Sequence, residues 1–105
     1  MIDKKKFYIN GEWIDAKGKE SIKVIDPSTE KSCAEISLGS KDDVNNAVIA
    51  AKKAYESWGF SSKEERIKLL ENLYVLYKKR WADIASAITM EMGAPKDFAT
   101  KLQAG

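Results

Sequence analysis

The pattern of apolar positions predicts one dominant element, a single amphipathic helix over residues 62–92. From residue 67 onwards, apolar or aromatic side chains recur at alternating steps of three and four, which is the spacing of one face of an α-helix. These positions are Ile67, Leu70, Tyr74, Tyr77, Trp81, Ile84 and Ile88, and the face is widened by Leu69, Leu73 and Leu76. A continuous helix of this length would extend about 45 Å, whereas a compact domain of this size has a radius of gyration of about 13 Å. We therefore expect the helix to pack against protein that this chain does not contain.

Residues that cap or break helices mark both ends of this element. Ser61 and Ser62 are each followed three residues later by a glutamate, which is a capping-box pattern. Gly93 and Pro95 interrupt the helical pattern. Residues 96–104 then favour the start of a further helix, which no closing element follows. We expect from this that the sequence is cut from a longer one.

The first part of the chain predicts β-structure over residues 7–38. Asn10-Gly11 lies between two apolar runs and predicts a hairpin, because a type I′ turn requires positive φ at both central residues. The resulting register places Tyr8 opposite Trp13. Two short strands are predicted to follow, since apolar and polar residues alternate on either side of a proline-containing turn.

A first helix is predicted over residues 40–58. Ser40 can act as its N-cap, and Asp42 and Asp43 fall in the first turn, where the helix dipole favours acidic side chains. Apolar residues then follow one stripe of the helix, and Gly59 is a natural C-terminal stop.

Composition narrows the class of protein. The chain has 105 residues, enough for one small domain, with 18 basic and 16 acidic side chains and a net charge of +2. This balance gives no reason to expect nucleic acid or an anionic membrane as partner, and the lysines at 4–6 are predicted to be a solvated N-terminus. No stretch approaches the ~20 apolar residues of a membrane span, and the N-terminus lacks the apolar core of a signal peptide. A single cysteine cannot form an internal disulfide, so we expect a reducing cytoplasm.

Few residues could carry chemistry. The absence of histidine removes the commonest general base and zinc ligand. Cys33, the only thiol, lies in a predicted strand with no histidine to activate it, so a structural role is favoured. The adjacent acids at 42–43 and 64–65 are predicted to cap helices rather than to perform acid–base catalysis. The glycines form neither G-x-G-x-x-G nor a P-loop, so the chain lacks a nucleotide cradle of its own.

The aromatic residues of the long helix leave alternatives open. Tyr74, Tyr77 and Trp81 could stack on nucleic-acid bases, but they share a stripe with leucine and isoleucine, which favours packing. The three-four spacing also fits a coiled coil over about three heptads, although the added leucines make the face wider than a two-stranded seam. From the residues alone, a small helical protein–protein interaction module that docks through this helix is the alternative function.

Four segments, in the same order and at similar spacing, resemble the N-terminal region of the aldehyde dehydrogenase superfamily. They are the hairpin YINGEW at 8–13, the turn VIDPST at 24–29, the first helix with AAKKAY at 50–55, and EMGAP at 91–95, which resembles the family's E-x-G-[KA]-P signature. Asp26 stands in place of the commoner asparagine, and Ala94 in place of the commoner lysine. The resemblance covers nearly the whole chain.

The resemblance implies an α/β fold of the aldehyde dehydrogenase type, in which residues 1–105 form the N-terminal part of a Rossmann-type NAD(P)-binding domain. The hairpin and short strands would precede two amphipathic helices. Full-length members oxidise an aldehyde to a carboxylic acid with NAD or NADP. A downstream cysteine attacks the aldehyde and a downstream glutamate activates water. The resemblance also implies a cytoplasmic homo-dimer or homo-tetramer with an aldehyde substrate and with neither nucleic acid nor membrane as partner.

None of the family's catalytic or cofactor-binding positions falls in this chain, so the resemblance implies that the chain alone is inactive and binds no cofactor. Some members hold a monovalent cation with a backbone carbonyl of the V-x-N-P segment and the acid of the E-x-G-x-P signature. The matching positions here are Ile25 and Glu91. Alternatively, the Glu91 carboxylate accepts a hydrogen bond from the neighbouring strand.

Overall fold

The computed structural model describes every residue from Met1 to Gly105, and these residues form two compact units. Unit 1 consists of Met1–Val24 and Ser32–Ser61, and unit 2 of Ile25–Lys31 and Ser62–Gly105. None of the helices combines the length and the apolar character that crossing a membrane requires.

Five short strands form two separate sheets. They are β1 (Ile2–Lys4), β2 (Lys6–Ile9), β3 (Glu12–Asp15), β4 (Ser21–Asp26) and β5 (Lys31–Ser37). The strand order of the three-stranded sheet is β1-β5-β4, and β1 runs parallel to β5. The two-stranded sheet is the antiparallel hairpin of β2 and β3.

The hairpin has the predicted turn and register. Tyr8 pairs with Trp13, and φ is 55° at Asn10 and 80° at Gly11, as a type I′ turn requires. The Tyr8 and Trp13 rings lie 5.1 Å apart in a tilted arrangement on an exposed face. The local signal of an Asn-Gly turn is therefore confirmed in detail.

Strand β1 is absent from the prediction. The lysines at 4–6 are exposed, as expected, but Lys4 and Lys6 belong to strands, and Lys5 lies 3.2 Å from Glu35 in an ion pair. Such a short, polar strand has no alternating pattern of its own. It forms because β5 offers an edge to which it can pair, and that edge is distant in sequence.

Helix α1 (Lys41–Trp58) lies within the predicted range and has the predicted cap. The Asp43 N–H donates to the Ser40 hydroxyl at 3.3 Å, and the Ser40 N–H donates to the Asp43 carboxylate at 2.9 Å. This reciprocal pair is a capping box. Gly59 follows the last helical residue.

The prediction of one continuous helix over residues 62–92 is wrong. The structure has two helices, α2 (Lys63–Lys79) and α3 (Trp81–Met92), separated by Arg80 at φ −107° and ψ 9°. The Arg80 N–H donates both to the Leu76 carbonyl at 3.2 Å and to the Tyr77 carbonyl at 3.0 Å, so the last turn of α2 is tightened. Residues 62–92 therefore do not form the single continuous helix that was predicted.

Contacts distant in sequence lie on both sides of the break. Arginine is a good helix former, and neither glycine nor proline lies near it, so the sequence contains no stop signal there. On either side of it, however, the Tyr77 hydroxyl donates to the Ala104 carbonyl at 2.6 Å and the Trp81 indole N–H donates to the Thr100 carbonyl at 2.8 Å. These bonds attach the last turn of α2 and the start of α3 to the end of the chain.

The start of α2 and the last helical segment agree only in part with the prediction. Ser62 caps α2 by accepting from the Glu65 N–H at 3.1 Å, while the Glu65 carboxylate accepts from the Ser62 N–H at 2.8 Å. Ser61 is not a cap, because its hydroxyl donates to the Trp58 carbonyl at 2.7 Å. A helix was predicted over residues 96–104, and the structure is helical over residues 96–103, where α4 (Lys96–Phe98) is α-helical and a π-helix follows over Ala99–Gln103.

The buried core of unit 2 is small and made of alanine. Ala85 of α3 packs with Ala99 and Ala104, and three partly buried apolar residues pack against them: Ile84, Ile88 and Ala94. Helix α2 has no buried residue at all.

Candidate functional site

A tight turn after β4 forms one side of the candidate site in unit 2. The Asp26 carbonyl accepts from the Thr29 N–H at 3.3 Å and from the Glu30 N–H at 2.8 Å, and the Asp26 carboxylate accepts from the Ser28 N–H at 2.8 Å. Glu30 adopts positive φ, 56°, to complete it. Aspartate and proline favour this geometry, because the aspartate side chain bonds to the backbone two residues on and Pro27 fixes φ. We call it the Asp26 turn.

The end of α3 forms the other side. Gly93 is left-handed at φ 71°, and its N–H donates to the Thr89 carbonyl at 2.9 Å. A Cβ built on Gly93 would lie 2.9 Å from the Pro27 Cγ and 3.9 Å from the Ser28 hydroxyl. The Asp26 turn and the helix end are therefore in direct contact, and this contact brings together the two segments that carry the predicted cation ligands.

The two predicted ligands stay candidates. Ile25 is the second-last residue of β4, and Glu91 lies in the last turn of α3. Glu91 is exposed, and its carboxylate makes neither a hydrogen bond nor an ion pair, so the alternative bond from a neighbouring strand is not formed. Backbone carbonyl and carboxylate oxygens are the ligands that hard cations take, which fits the chemistry of this donor set. No cluster of three or more acidic, histidine or cysteine side chains supplements them.

A buried hydroxyl one turn before Gly93 escaped the sequence-based prediction. Thr89 Oγ1 is inaccessible to solvent and has no hydrogen-bond partner. Thr89 and Glu91 are two positions apart on α3, so their side chains point to different sides of the helix and do not form one ligand set. The sequence cannot distinguish a helical threonine whose hydroxyl is buried without a partner from any other helical threonine.

A second polar centre lies in unit 1 around Asp43, which is 4% exposed. Its carboxylate accepts from the Lys17 N–H at 2.9 Å, the Gly18 N–H at 3.1 Å and the Ser40 hydroxyl at 2.7 Å, in addition to the Ser40 N–H. The Lys17 N–H foremost, and then the two groups of Ser40, hold the pKa of this carboxyl well below its usual range. The predicted capping role of Asp43 is confirmed, and its second role is to tie the turn after β3 to the start of α1.

This centre is unsuited to proton transfer. A general acid or base works best with a pKa near the operating pH, whereas Asp43 stays ionised throughout the physiological range. Four donors already occupy its oxygens. Asp43 is therefore part of the scaffold.

Cys33 lies in β5 and is half-buried. Its Sγ donates to the Val24 carbonyl at 3.4 Å. The structure thus gives this thiol a partner within the neighbouring backbone, in keeping with the predicted structural role.

Two open grooves in unit 1 contain no evident catalytic group. One, of about 360 Å³, lies between residues 8–11 of the hairpin and α1 and is lined on the helix side by alanine alone. The other, of about 610 Å³, is lined by Trp13 together with lysine and aspartate side chains from residues 3–6 and 15. Neither groove holds a thiol or a hydroxyl nucleophile activated by a base.

The family model of the aldehyde dehydrogenase family matches residues 13–104. The chain belongs to the aldehyde dehydrogenase family. It is 44% identical over 95 residues to 3-succinoylsemialdehyde-pyridine dehydrogenase of a Pseudomonas species, a match that covers 90% of this chain and 20% of that protein.

Solved structures of aldehyde dehydrogenases share the fold. The crystal structure of the enzyme from Bartonella henselae is 49% identical and matches with a TM-score of 0.97 over 99% of this chain and 22% of its own. A variant of aldehyde dehydrogenase C from Pseudomonas syringae, in complex with NAD+ and octanal, is 37% identical and matches with a TM-score of 0.93 over 95% of this chain and 21% of its own. The predicted α/β fold is confirmed, and the chain spans about one fifth of the length of these relatives.

Proposed function

We propose that this chain is the N-terminal part of an NAD(P)-dependent aldehyde dehydrogenase that oxidises an aldehyde to a carboxylic acid. The observation that carries the proposal is the agreement with the Bartonella henselae enzyme, a TM-score of 0.97 at 49% identity over 99% of the chain. A relative that matches 95% of the chain was solved with NAD+ and octanal, which supports both the nicotinamide cofactor and the aldehyde substrate.

We further propose that the chain alone has no dehydrogenase activity and binds no NAD or NADP. Its only thiol is half-buried in β5 and bonds to the Val24 carbonyl, so the attacking nucleophile has to come from elsewhere in the protein. A bound nicotinamide would supply the acceptor for the hydride that leaves the aldehyde substrate. The contribution of this chain is structural: unit 1 ties turn and helix together through Asp43, and unit 2 holds the Asp26 turn against Gly93.

For the complete enzyme we propose a localisation, an oligomeric state, a class of substrate and a cation site. A cytoplasmic homo-dimer or homo-tetramer is supported by family membership and by the lone cysteine. The near-neutral charge supports a small-molecule substrate rather than nucleic acid or a membrane surface. The Ile25 carbonyl and the Glu91 carboxylate are proposed as ligands of a monovalent cation, supported by the contact between the segments in which they lie.

The decisive experiment follows the reading frame of the source genome past Gly105. The longer product is expressed and its reduction of NAD and NADP is followed with octanal, the aldehyde bound by the Pseudomonas syringae relative. We expect aldehyde-dependent reduction by the longer protein and none by the 105-residue chain. Sustained turnover by the short chain, or a longer protein without aldehyde-dependent reduction, would contradict the proposal.

A helical interaction module is the second candidate, and the exposure of α2 is the observation that favours it. Helix α2 leaves apolar side chains such as Leu70, 61% exposed, open to solvent. This candidate requires a reading frame that stops directly after Gly105, together with a binding partner that is not an aldehyde dehydrogenase. The genomic sequence tests the first requirement, and co-purification of the 105-residue chain with its binding partner tests the second.

A further inference from the structure

Apolar side chains cover about half the circumference of α2. At 3.6 residues per turn, these side chains span an arc of about 180°, which Lys63 and Arg66 share only in the first turn, while charged residues and Asn72 fill most of the other half. The members of the arc are Ile67, Leu69, Leu70, Leu73, Tyr74, Leu76 and Tyr77. We call this surface the α2 arc. Val75 is the one apolar residue of α2 on the opposite, charged side.

Little of the α2 arc is covered within unit 2. At one position, the Tyr77 hydroxyl bonds to the Ala104 carbonyl, and Tyr77 is 38% exposed. The other members are between 44% and 62% exposed. Soluble monomers rarely leave an apolar patch of more than a few hundred Å² open to water, so such a surface marks an interface.

The width of the α2 arc selects the kind of partner. A single helix of a second copy would bury a stripe of coiled-coil width, formed by the a and d positions alone. An arc that covers half of the helix needs a surface built from several elements, as in the interior of a large domain. A second copy pairing through α2 would leave part of the arc exposed.

The comparison with known structures indicates which partner has that surface. The Bartonella henselae enzyme contains this fold over 99% of the chain, and the match accounts for 22% of its own length. In a chain of that length, a helix with an apolar arc is followed by enough protein to enclose it. We propose that the α2 arc is the docking surface for the remainder of an aldehyde dehydrogenase fold, and that the separate 105-residue chain binds that remainder in trans. The inference rests on the proposed function and adds the surface through which the parts associate.

The test uses this chain with Bartonella henselae aldehyde dehydrogenase that lacks the segment matched by the chain. The two polypeptides are co-expressed, a tag on the 105-residue chain is used for capture, and the complex is sized by chromatography with light scattering. We expect a 1:1 complex and a higher soluble yield of the truncated enzyme. No cofactor or aldehyde is added, so the readout is binding alone.

Two lysine variants of α2 form a matched pair. Leu73 is 57% exposed and lies in the α2 arc, whereas Val75 is 53% exposed and lies on the charged side. Leu73→Lys should weaken the complex by about tenfold or more, since a buried leucine contact is replaced by a charge. Val75→Lys should change the affinity by less than about twofold. Both positions are solvated in the free chain, and circular dichroism melting checks that both variants stay folded.

Three outcomes would overturn the inference: no complex with the truncated enzyme, equal losses from the two variants, or a homodimer of the short chain that Leu73→Lys abolishes. The binding readout separates this inference from the proposed function. A 1:1 complex supports the docking surface even where the longer natural protein fails to oxidise aldehydes. An active longer protein whose N-terminal chain does not dock in trans overturns the docking surface alone.

Discussion

Gly93 and Pro27 pack so tightly that no side chain fits between them. A Cβ on Gly93 would meet the Pro27 Cγ at 2.9 Å, a separation that real Cβ atoms essentially never show. Gly93 also needs its positive φ of 71° to end α3. Glycine is therefore required at this position for two reasons: the positive φ of the backbone and the lack of space for a Cβ beside the Pro27 ring.

Gly93→Ala should destabilise the protein by about 2 kcal/mol or more. Left-handed backbone costs a non-glycine residue about 1 kcal/mol, and the clash with Pro27 adds the cost of displacing the Asp26 turn. Urea unfolding measures the change in free energy.

Gly11→Ala provides the matched control. Gly11 has φ 80°, but nothing lies within 4 Å of its Cβ position. Its substitution should cost only the backbone strain, about 1 kcal/mol. A Gly93→Ala protein as stable as the Gly11→Ala protein would show that the Asp26 turn moves away freely and that the contact is not restrictive.

Asp43→Asn should lower Tm by about 5 °C or more. The amide keeps the shape of the carboxylate, but it has one acceptor oxygen and presents an NH2 group to donors such as the Lys17 and Gly18 N–H groups. Thermal melting followed by circular dichroism measures the effect.

Asp42→Asn is the control for Asp43. Asp42 lies in the same helical turn but is exposed and has no hydrogen-bond partner. Its substitution should change Tm by less than about 3 °C. Equal effects at the two positions would mean that charge at the helix N-terminus matters, and that the bonds to the turn after β3 do not.

Acid should weaken the fold through the same carboxylate. The pKa of Asp43 is held well below its ordinary value of 3.8, so the unfolded chain binds a proton there before the folded chain does. The stabilisation is complete above pH 3.8 and is lost as the pH falls below it. The pKa of Glu35 is also lowered, first by the Ser21 hydroxyl and then by Lys5, and it acts in the same direction below about 4.5.

Urea unfolding at a series of pH values tests this dependence. The free energy of unfolding should fall steadily once the pH drops below the ordinary carboxyl range, and the Asp43→Asn protein should show a shallower fall. Parallel curves for the two proteins would assign the acid sensitivity to other carboxylates.

Tyr77→Phe should cost about 1 kcal/mol, because the phenol donates the bond of 2.6 Å to the Ala104 carbonyl. Hydrogen exchange should accelerate at the Ala104 N–H, which bonds to the Ala99 carbonyl of the π-helix. Tyr74→Phe serves as the control, since Tyr74 is exposed and its hydroxyl has no partner. Exchange that is unchanged in the Tyr77 variant would show that the π-helix holds without this bond.

Structural features that depend on neighbouring residues were predicted from the sequence, whereas features that involve contacts distant in sequence were missed. Asn10-Gly11 and Ser40 act on their immediate neighbours, so the hairpin register and the start of α1 could be predicted from the sequence. The break at Arg80 is flanked by bonds from Tyr77 and Trp81 to carbonyls near the end of the chain. Periodicity cannot register such bonds, since the three-four spacing continues unchanged across the break.

The candidate site shows the same division. The positions of Ile25 and Glu91 came from family resemblance, whereas the physical contact between their segments, through Gly93 and Pro27, required the structure. Asp43 was expected at a helix cap, but its bonds to the Lys17–Gly18 turn link residues about 25 positions apart, beyond any local pattern.

Potassium or sodium chloride should raise Tm above the value in choline chloride at the same ionic strength, if Glu91 and the Ile25 carbonyl bind a monovalent cation. Equal ionic strength removes general screening as a cause. Glu91→Gln should abolish the difference, while Glu71→Gln, at an exposed and unpaired acid of α2, should preserve it. The same Tm in all three salts would contradict cation binding.

Unit 2 is assembled from two stretches that the chain visits at different times, Ile25–Lys31 and Ser62–Gly105. No single cut releases it whole: removal of everything before Ser62 would take away Pro27 and leave Gly93 without its neighbour. During synthesis the Asp26 turn emerges long before α3. Because the two are far apart in the sequence, forming the contact between Pro27 and Gly93 carries the entropy cost of closing a long loop. Unit 2 is consequently a poor segment to excise or to transplant into another protein. A circular permutation that keeps the Asp26 turn joined to β4 and β5 would preserve unit 2.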